Sequence, residues 1–338
     1  MRIQVIYTGG TIGMEPSAQG LVPGENSAAF AAWFGELCAE FSAGTDIRFS
    51  RLPTLIDSSN ATPLDWQRIL DAISAAPADA YVVLHGTDTM SYTAAALSYA
   101  RAGNDTPVIL TGAQLPYNAP GSDAGKNVFG ALKAANTSRT RGVCLYFGNC
   151  LLAGNRSTKI SSMGFDGFDT PLVYPLATAG VPWRWAESTA KPLSASSPVP
   201  LPWGKPAPYR CHDVIILDLA PGMSVQRLQK MLTPPPEALI IRAFGVGNCP
   251  SAEPGFVQVL ADLCAADIPV VVSSQCQSAD VTLKAYETGQ VLANAGCVGS
   301  ADMTLEATYA KLVFLLSQGL SGREIRSWMT RSVCGELS

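Results

Sequence analysis

Residues 81–102 read YVVLHGTDTMSYTAAALSYARA, and this stretch decides the fold. Tyr81–Leu84 is an apolar run too short for a helix and closed by the His85-Gly86 break, the pattern of a strand covered on both faces. From Ser91 to Ala102 the apolar residues take helical spacing. A buried strand feeding a helix is half of a β-α-β unit, and similar strands are expected at Arg2–Thr8, Val108–Thr111 and Val143–Phe147. Helices are expected between them. One starts at Thr62, with Pro63 in the first helical position and Asp65 three residues after the cap; another spans Asp123–Ala135. The series predicts an α/β fold whose larger N-terminal domain is a mostly parallel sheet flanked by helices. Its sites belong at the C-terminal ends of the strands.

Farther along, residues 191–208 read KPLSASSPVPLPWGKPAP, too rich in proline for a helix or a central strand. The expected organisation is therefore an N-terminal catalytic domain over 1–190, a proline-rich linker over 191–210, and a smaller C-terminal α/β domain over 211–338. In the last of these, VIILDL, ALIIRAF and PVVVSS read as buried strands, with helical patterns at Val225–Leu232, Phe256–Ala266 and Leu305–Leu316.

Bulk composition narrows the function classes. A net charge of −4 over 338 residues, with no lysine or arginine run, gives no field for nucleic acid or an anionic membrane. The N-terminal apolar run is short for a signal peptide and no stretch approaches the length of a bilayer span, so a soluble cytoplasmic protein is expected. Nine cysteines without a C-x-x-C pair read as reduced thiols. With only two histidines, His85 and His212, a multi-histidine metal site is excluded. A histidine-based triad has few candidates, so a hydrolase built from this chain is expected to activate its nucleophile with lysine or carboxylate.

Four polar segments carry the candidate chemistry. YTGGTIGM at 7–14 follows the first strand, and its glycines allow a sharp turn around Thr11. It has neither the glycine spacing of a dinucleotide site nor the lysine of a phosphate loop. Thr87 and Asp88 lie just past the strand at 81–84, where helix capping is an equal reading. LIDSSNATP at 55–63 places Asp57, Ser58 and Ser59 at another strand end, where turn chemistry explains them as well as ligand binding does. In AGNRSTKISSMGFDGFDTP, Lys159 sits among small polar residues, and a solvated loop lysine is its default.

Together, IYTGGTIGM, DSSN-TP-DW, HGTDTM-YTA-AL, GNR-TK, RAFGVGN, SQC, AGC-GSADMT-EAT-AKL and the terminal GEL resemble the bacterial-type L-asparaginase family over essentially the whole chain, and specifically its cytoplasmic type I branch. The resemblance implies hydrolysis of L-asparagine to L-aspartate and ammonia, with minor glutaminase activity and without a metal or other cofactor. It makes Thr11 the nucleophile of an acyl-enzyme reaction and Thr87, Asp88 and Lys159 the second catalytic group. Asp57, Ser58 and Ser59, with Thr87 and Asp88, would hold the substrate's α-carboxylate and α-ammonium. Asn248 matches a residue that approaches a neighbouring subunit's site in a homotetramer built as a dimer of dimers. Thr158, Arg242 and Cys276 match a regulatory asparagine site in some members. In one place the chain departs from the family: Leu21 in QGLVP stands where a tyrosine is usual, and it cannot hydrogen-bond Thr11. A binding or sensor protein that keeps the pocket without turnover is the alternative from another class.

Overall fold

The computed structural model describes residues 1–17, 20–23, 28–41, 44–187, 201–283 and 287–338, with backbone alone at 16–17, 21–23 and 287–288. Two compact units are present, Met1–Ser196 and Ser197–Ser338.

In the first unit, β1 (Arg2–Gly9) leads through a hairpin of β2 (Met14–Ser17) and β3 (Gly20–Pro23) to helix α1 (Ala28–Ala39). There follow β4 (Asp46–Ile56), α2 (Pro63–Ala75), β5 (Ala80–Leu84), α3 (Met90–Ala100), β6 (Val108–Thr111), α4 (Ala124–Ala135) and β7 (Val143–Phe147). The strands β4-β1-β5-β6-β7 pair in that order and all in parallel, as the alternating pattern predicts. β8 (Cys150–Ala153) folds back antiparallel on β7, and β11 (Ala177–Thr178) and β12 (Arg184–Trp185) extend that antiparallel edge. A separate two-stranded ribbon joins β9 (Thr158–Lys159) to β10 (Phe168–Asp169).

Burial explains the local choices. Every residue of β5, β6 and β7 is buried, so these strands alternate between two apolar layers instead of between core and water. One layer collects Ile3, Val5, Tyr7 and the inner face of α4; the other collects Ile6, Val83 and Leu145 with α2 and α3. Helix α3 is apolar nearly all round because it is covered nearly all round. Its alanines also let a neighbouring loop lie close, since a Cβ on Gly154 would stand 3.2 Å from the Ala94 methyl. Helix α2 begins where the sequence places it: the Thr62 N–H donates to Asp65 at 2.8 Å, the reciprocal bond of a capping box.

In the second unit, β13 (Val214–Asp218), β14 (Ala238–Ala243), β15 (Val270–Ser274) and β16 (Val298–Gly299) form a four-stranded parallel sheet in chain order. Helices α5 (Val225–Met231), α6 (Phe256–Ala265), α7 (Glu287–Asn294), α8 (Leu305–Ser317) and α9 (Gly322–Met329) complete it. Of the expected linker, residues 191–200 lie outside the described residues. The rest, 201–210, has no helix or strand, and it lays Trp203 5.3 Å and Tyr209 6.0 Å from the Phe314 ring of α8. Among the described residues no helix is long and apolar enough to cross a membrane.

Candidate active site

Three strand ends meet because three backbones touch. β1 lies between β4 and β5, so the loops after them leave the same edge of the sheet side by side. Gly9 and Gly10 have φ of 119° and 90°, a conformation that L side chains rarely adopt. Space forbids side chains there too: a Cβ on Gly9 would overlap the Ile56 carbonyl, one on Gly10 would overlap Gly86, and one on Gly86 would overlap the Ser58 hydroxyl. These contacts bring the Thr11 turn, the Asp57–Ser59 turn and the Thr87–Asp88 loop to one place. Thr11 opens a single 3-10 turn, Thr11–Gly13, closed by the Gly13 N–H on the Gly10 carbonyl at 3.2 Å.

Ser58 ties the second and third loops together. It is buried, its Oγ accepts from the Asp88 N–H at 3.3 Å, and its carbonyl accepts from the Thr89 hydroxyl at 2.7 Å. Asp57 caps its own turn, accepting from the Ser59 N–H at 3.1 Å. Capping and turn chemistry are thus present at Asp57, as the sequence alone allows, and they leave the carboxylate at the same edge.

Lys159 is not the solvated loop lysine that its surroundings suggest by default. Its side chain is 19% exposed, and Nζ donates to Thr87 Oγ1 at 2.9 Å and to Asp88 Oδ1 at 2.7 Å. Pairing of β9 with β10 aims it there, with Phe168 directly opposite Lys159 in the ribbon.

A bracket behind the site has no counterpart among the sequence candidates. The buried Asp123 carboxylate accepts from the N–H groups of Gln114 and Leu115 and from Asn127, at 3.0–3.2 Å. Gln114 in turn donates to the carbonyls of Ser161 and Gly164, both at 3.1 Å, fixing the loop that follows Lys159. A buried carboxylate at the start of a helix was the available signal, but an N-terminal helix position accounts for it without a site.

His85 is structural. Buried beneath the loop, it has Nδ1 2.7 Å from the Gly86 carbonyl and Nε2 3.0 Å from the Thr93 hydroxyl, and burial lowers its pKa from 6.5 so that it stays neutral. His212 belongs to the second unit and pairs with Glu237 at 3.0 Å.

In the second unit, Arg242 reaches Asp218 at 3.0 Å and the Gln275 carbonyl at 3.4 Å, while Cys276 is exposed beside them in sequence. Asn248 closes a tight bridge with Phe244. Leu21 lies in β3, opposite Pro16 of β2, and its side chain is outside the described residues.

Models of the asparaginase N-terminal domain and the glutaminase/asparaginase C-terminal domain match residues 2–190 and 213–329. The chain belongs to the asparaginase family. It is 40% identical to L-asparaginase 1 of Escherichia coli, over 99% of this chain and 98% of that one. With L-asparaginase I of Vibrio cholerae it shares 34% identity and the fold at a TM-score of 0.84, over 100% and 99% of the two chains. The 60 kDa lysophospholipase of Mus musculus is 33% identical over the whole of this chain, which spans 62% of that protein. The chain is accordingly an amide hydrolase of the asparaginase family, with that family's two-domain α/β architecture.

Proposed function

We propose that this chain hydrolyses L-asparagine to L-aspartate and ammonia through Thr11. The Thr11 oxygen forms a bond to the side-chain amide carbon and gives up its proton; the C–N bond then breaks, the nitrogen leaves as ammonia, and a β-aspartyl ester remains on Thr11. Water attacks that ester, restoring the threonine hydroxyl and releasing aspartate. Backbone N–H groups of the Gly9-Gly10 turn are suited to receive the negative charge that develops on the carbonyl oxygen.

The Lys159–Thr87–Asp88 arrangement carries this reading. An ammonium donating to Thr87 Oγ1 at 2.9 Å favours charge on that oxygen, so the pair can relay protons for Thr11 and for the attacking water without imidazole. Asp57 and Asp88 supply carboxylates for the substrate's ammonium, and Ser58 and Ser59 supply donors for its carboxylate. Such paired charges suit a small zwitterion better than the long acyl chain of a lysophospholipid.

Ammonia release from L-asparagine, L-glutamine and D-asparagine tests the proposal, with the Thr11→Ala variant alongside. L-Asparagine is expected to be the best substrate, and Thr11→Ala to lose on the order of 10⁴-fold or more in kcat with its circular dichroism unchanged. Substantial turnover in that variant would remove Thr11 from its role. Asparagine that raises the melting temperature without being consumed would instead make the chain a binding protein. The same proposal includes a cytoplasmic homotetramer, measured by sedimentation, with Asn248 near a neighbouring site and minor glutaminase activity. Regulation through Thr158, Arg242 and Cys276 predicts a sigmoidal asparagine curve that becomes hyperbolic in Arg242→Ala.

A further inference from the structure

Packing does not account for the hydroxyl of Tyr7. The residue is 4% exposed, and its ring stacks on Phe30 with centroids 5.0 Å apart. Its Oη is sealed from solvent and has no hydrogen-bond partner among the described residues. An unpaired buried hydroxyl is destabilising, a cost that phenylalanine would avoid while keeping the same ring contacts.

This hydroxyl lies against Gly13, the last residue of the Thr11 turn. A Cβ on Gly13 would overlap Oη and come within 2.8 Å of Cζ. Gly13 is not among the glycines with positive φ, so the absence of a side chain there is explained by the phenol and not by the backbone. Within the turn the carbonyls already have backbone donors: Gly10 from Gly13, Thr11 from Met14, and Ile12 from Tyr117 at 2.9 Å. The turn's one polar side chain is that of Thr11 itself. Burial, with Arg51 opposing it and Glu15 adding to it, pushes the Tyr7 phenol up to about 12, so it is a protonated donor at neutral pH.

We infer that Tyr7 is a positioning residue for the nucleophile: its hydroxyl, packed beneath Gly13, sets the turn that carries Thr11. The inference rests on the proposed role of Thr11. Removing only the hydroxyl separates positioning from structural support, because a positioning group is lost from kcat and a structural tie from stability.

The experiment is Tyr7→Phe, compared with the parent for kcat and KM on L-asparagine and for thermal midpoint. A fall in kcat of about tenfold or more is expected, with KM within about twofold and a midpoint equal to or above the parent's. A kcat within about twofold of the parent, a loss confined to KM, or a kcat that falls together with the midpoint would overturn the inference while leaving Thr11 in place. A parent that releases no ammonia would instead sink the proposed reaction itself, and this inference with it.

Discussion

Two lysine–carboxylate pairs of almost equal length do opposite work in the two units. Lys159 meets Asp88 at 2.7 Å, with the lysine 19% and the aspartate 58% exposed and a threonine hydroxyl as the lysine's second acceptor. Lys311 meets Glu336 at 2.6 Å, both side chains 0% exposed. Around the second pair the further partners include main chain and one hydroxyl: the N–H groups of Val333 and Cys334 and the Ser332 hydroxyl donate to Glu336, and the carbonyl of Arg331 accepts from Lys311 at 2.7 Å. The first pair is open toward water and a threonine hydroxyl; the second is a sealed clasp holding the final segment to α8. Under the proposed reaction, the same two functional groups are catalytic in one unit and structural in the other according to what else they touch.

The largest expected effect comes from breaking the open pair. Lys159→Met should lower kcat on the order of 10²–10⁴-fold, because the Thr87 oxygen loses its cation. Its unfolding free energy in urea should move by less than about 1 kcal/mol, since half-exposed pairs contribute little. A variant that unfolds readily but keeps its turnover would reverse the assignment.

Breaking the sealed pair should do the converse. Glu336→Gln leaves Lys311 charged and uncompensated, so a loss of about 3–5 kcal/mol is expected by urea titration, with kcat per folded molecule unchanged. Replacing both partners, as in Lys311→Met with Glu336→Leu, should recover part of that loss because no charge remains buried. If the double variant is no more stable than the single one, the clasp acts through its main-chain bonds alone.

Acid sharpens the contrast at smaller amplitude. Burial opposes ionisation of Glu336, but Lys311 and the two N–H donors outweigh it and hold the carboxyl below 4.5. Its contribution is therefore fully present above pH 4.5 and is lost as pH falls through the lower folded value. His85 acts higher on the scale: its lowered pKa means the unfolded chain takes up the proton first, so stability declines as pH drops below 6.5. Stability of the parent should be flat above about pH 6.5 and fall below it, and Glu336→Gln should lose the steep part beneath pH 4.5. An unchanged acid limb in that variant would assign the acid sensitivity to other carboxyls.

The smallest effect is expected at the surface. Arg68 pairs with the Asp65 carboxylate of the α2 cap but is 58% exposed itself. Arg68→Ala should cost under about 1 kcal/mol in urea, because Asp65 keeps its bond to the Thr62 N–H.

How much of this was legible in the sequence follows burial. β1, β5, β6 and β7 were readable because both faces are covered and the strands become short apolar runs bounded by polar or glycine-containing loops. β4 was harder, since its edge position leaves most of DIRFSRLPTLI at least partly exposed and Pro53 sits within it. The antiparallel edge from β8 to β12 was not anticipated, because two of its strands are two residues long and carry no periodicity. At the site, the glycine turn and the strand-end threonine and aspartate stood out locally. Lys159 stood in a candidate segment, but only the family resemblance gave it a role, because the distance from a lysine to a threonine 72 residues away is a property of the fold. Asp123 and the Tyr7 hydroxyl were hidden for the same reason.

The stacked backbones of Gly9, Gly10 and Gly86 also shape the chain's mutational landscape. With no atom to spare between the three loops, they form a single rigid element spread over distant stretches of sequence. A saturation library scored for growth on asparagine nitrogen should show an intolerant patch at 9–10, 58 and 86, as intolerant of replacement as the proposed nucleophile Thr11. Gly20, Gly44 and Gly121, whose Cβ positions are open despite positive φ, should tolerate at least asparagine. In a lineage diverging toward new substrates, innovation would then enter around this element and seldom through it.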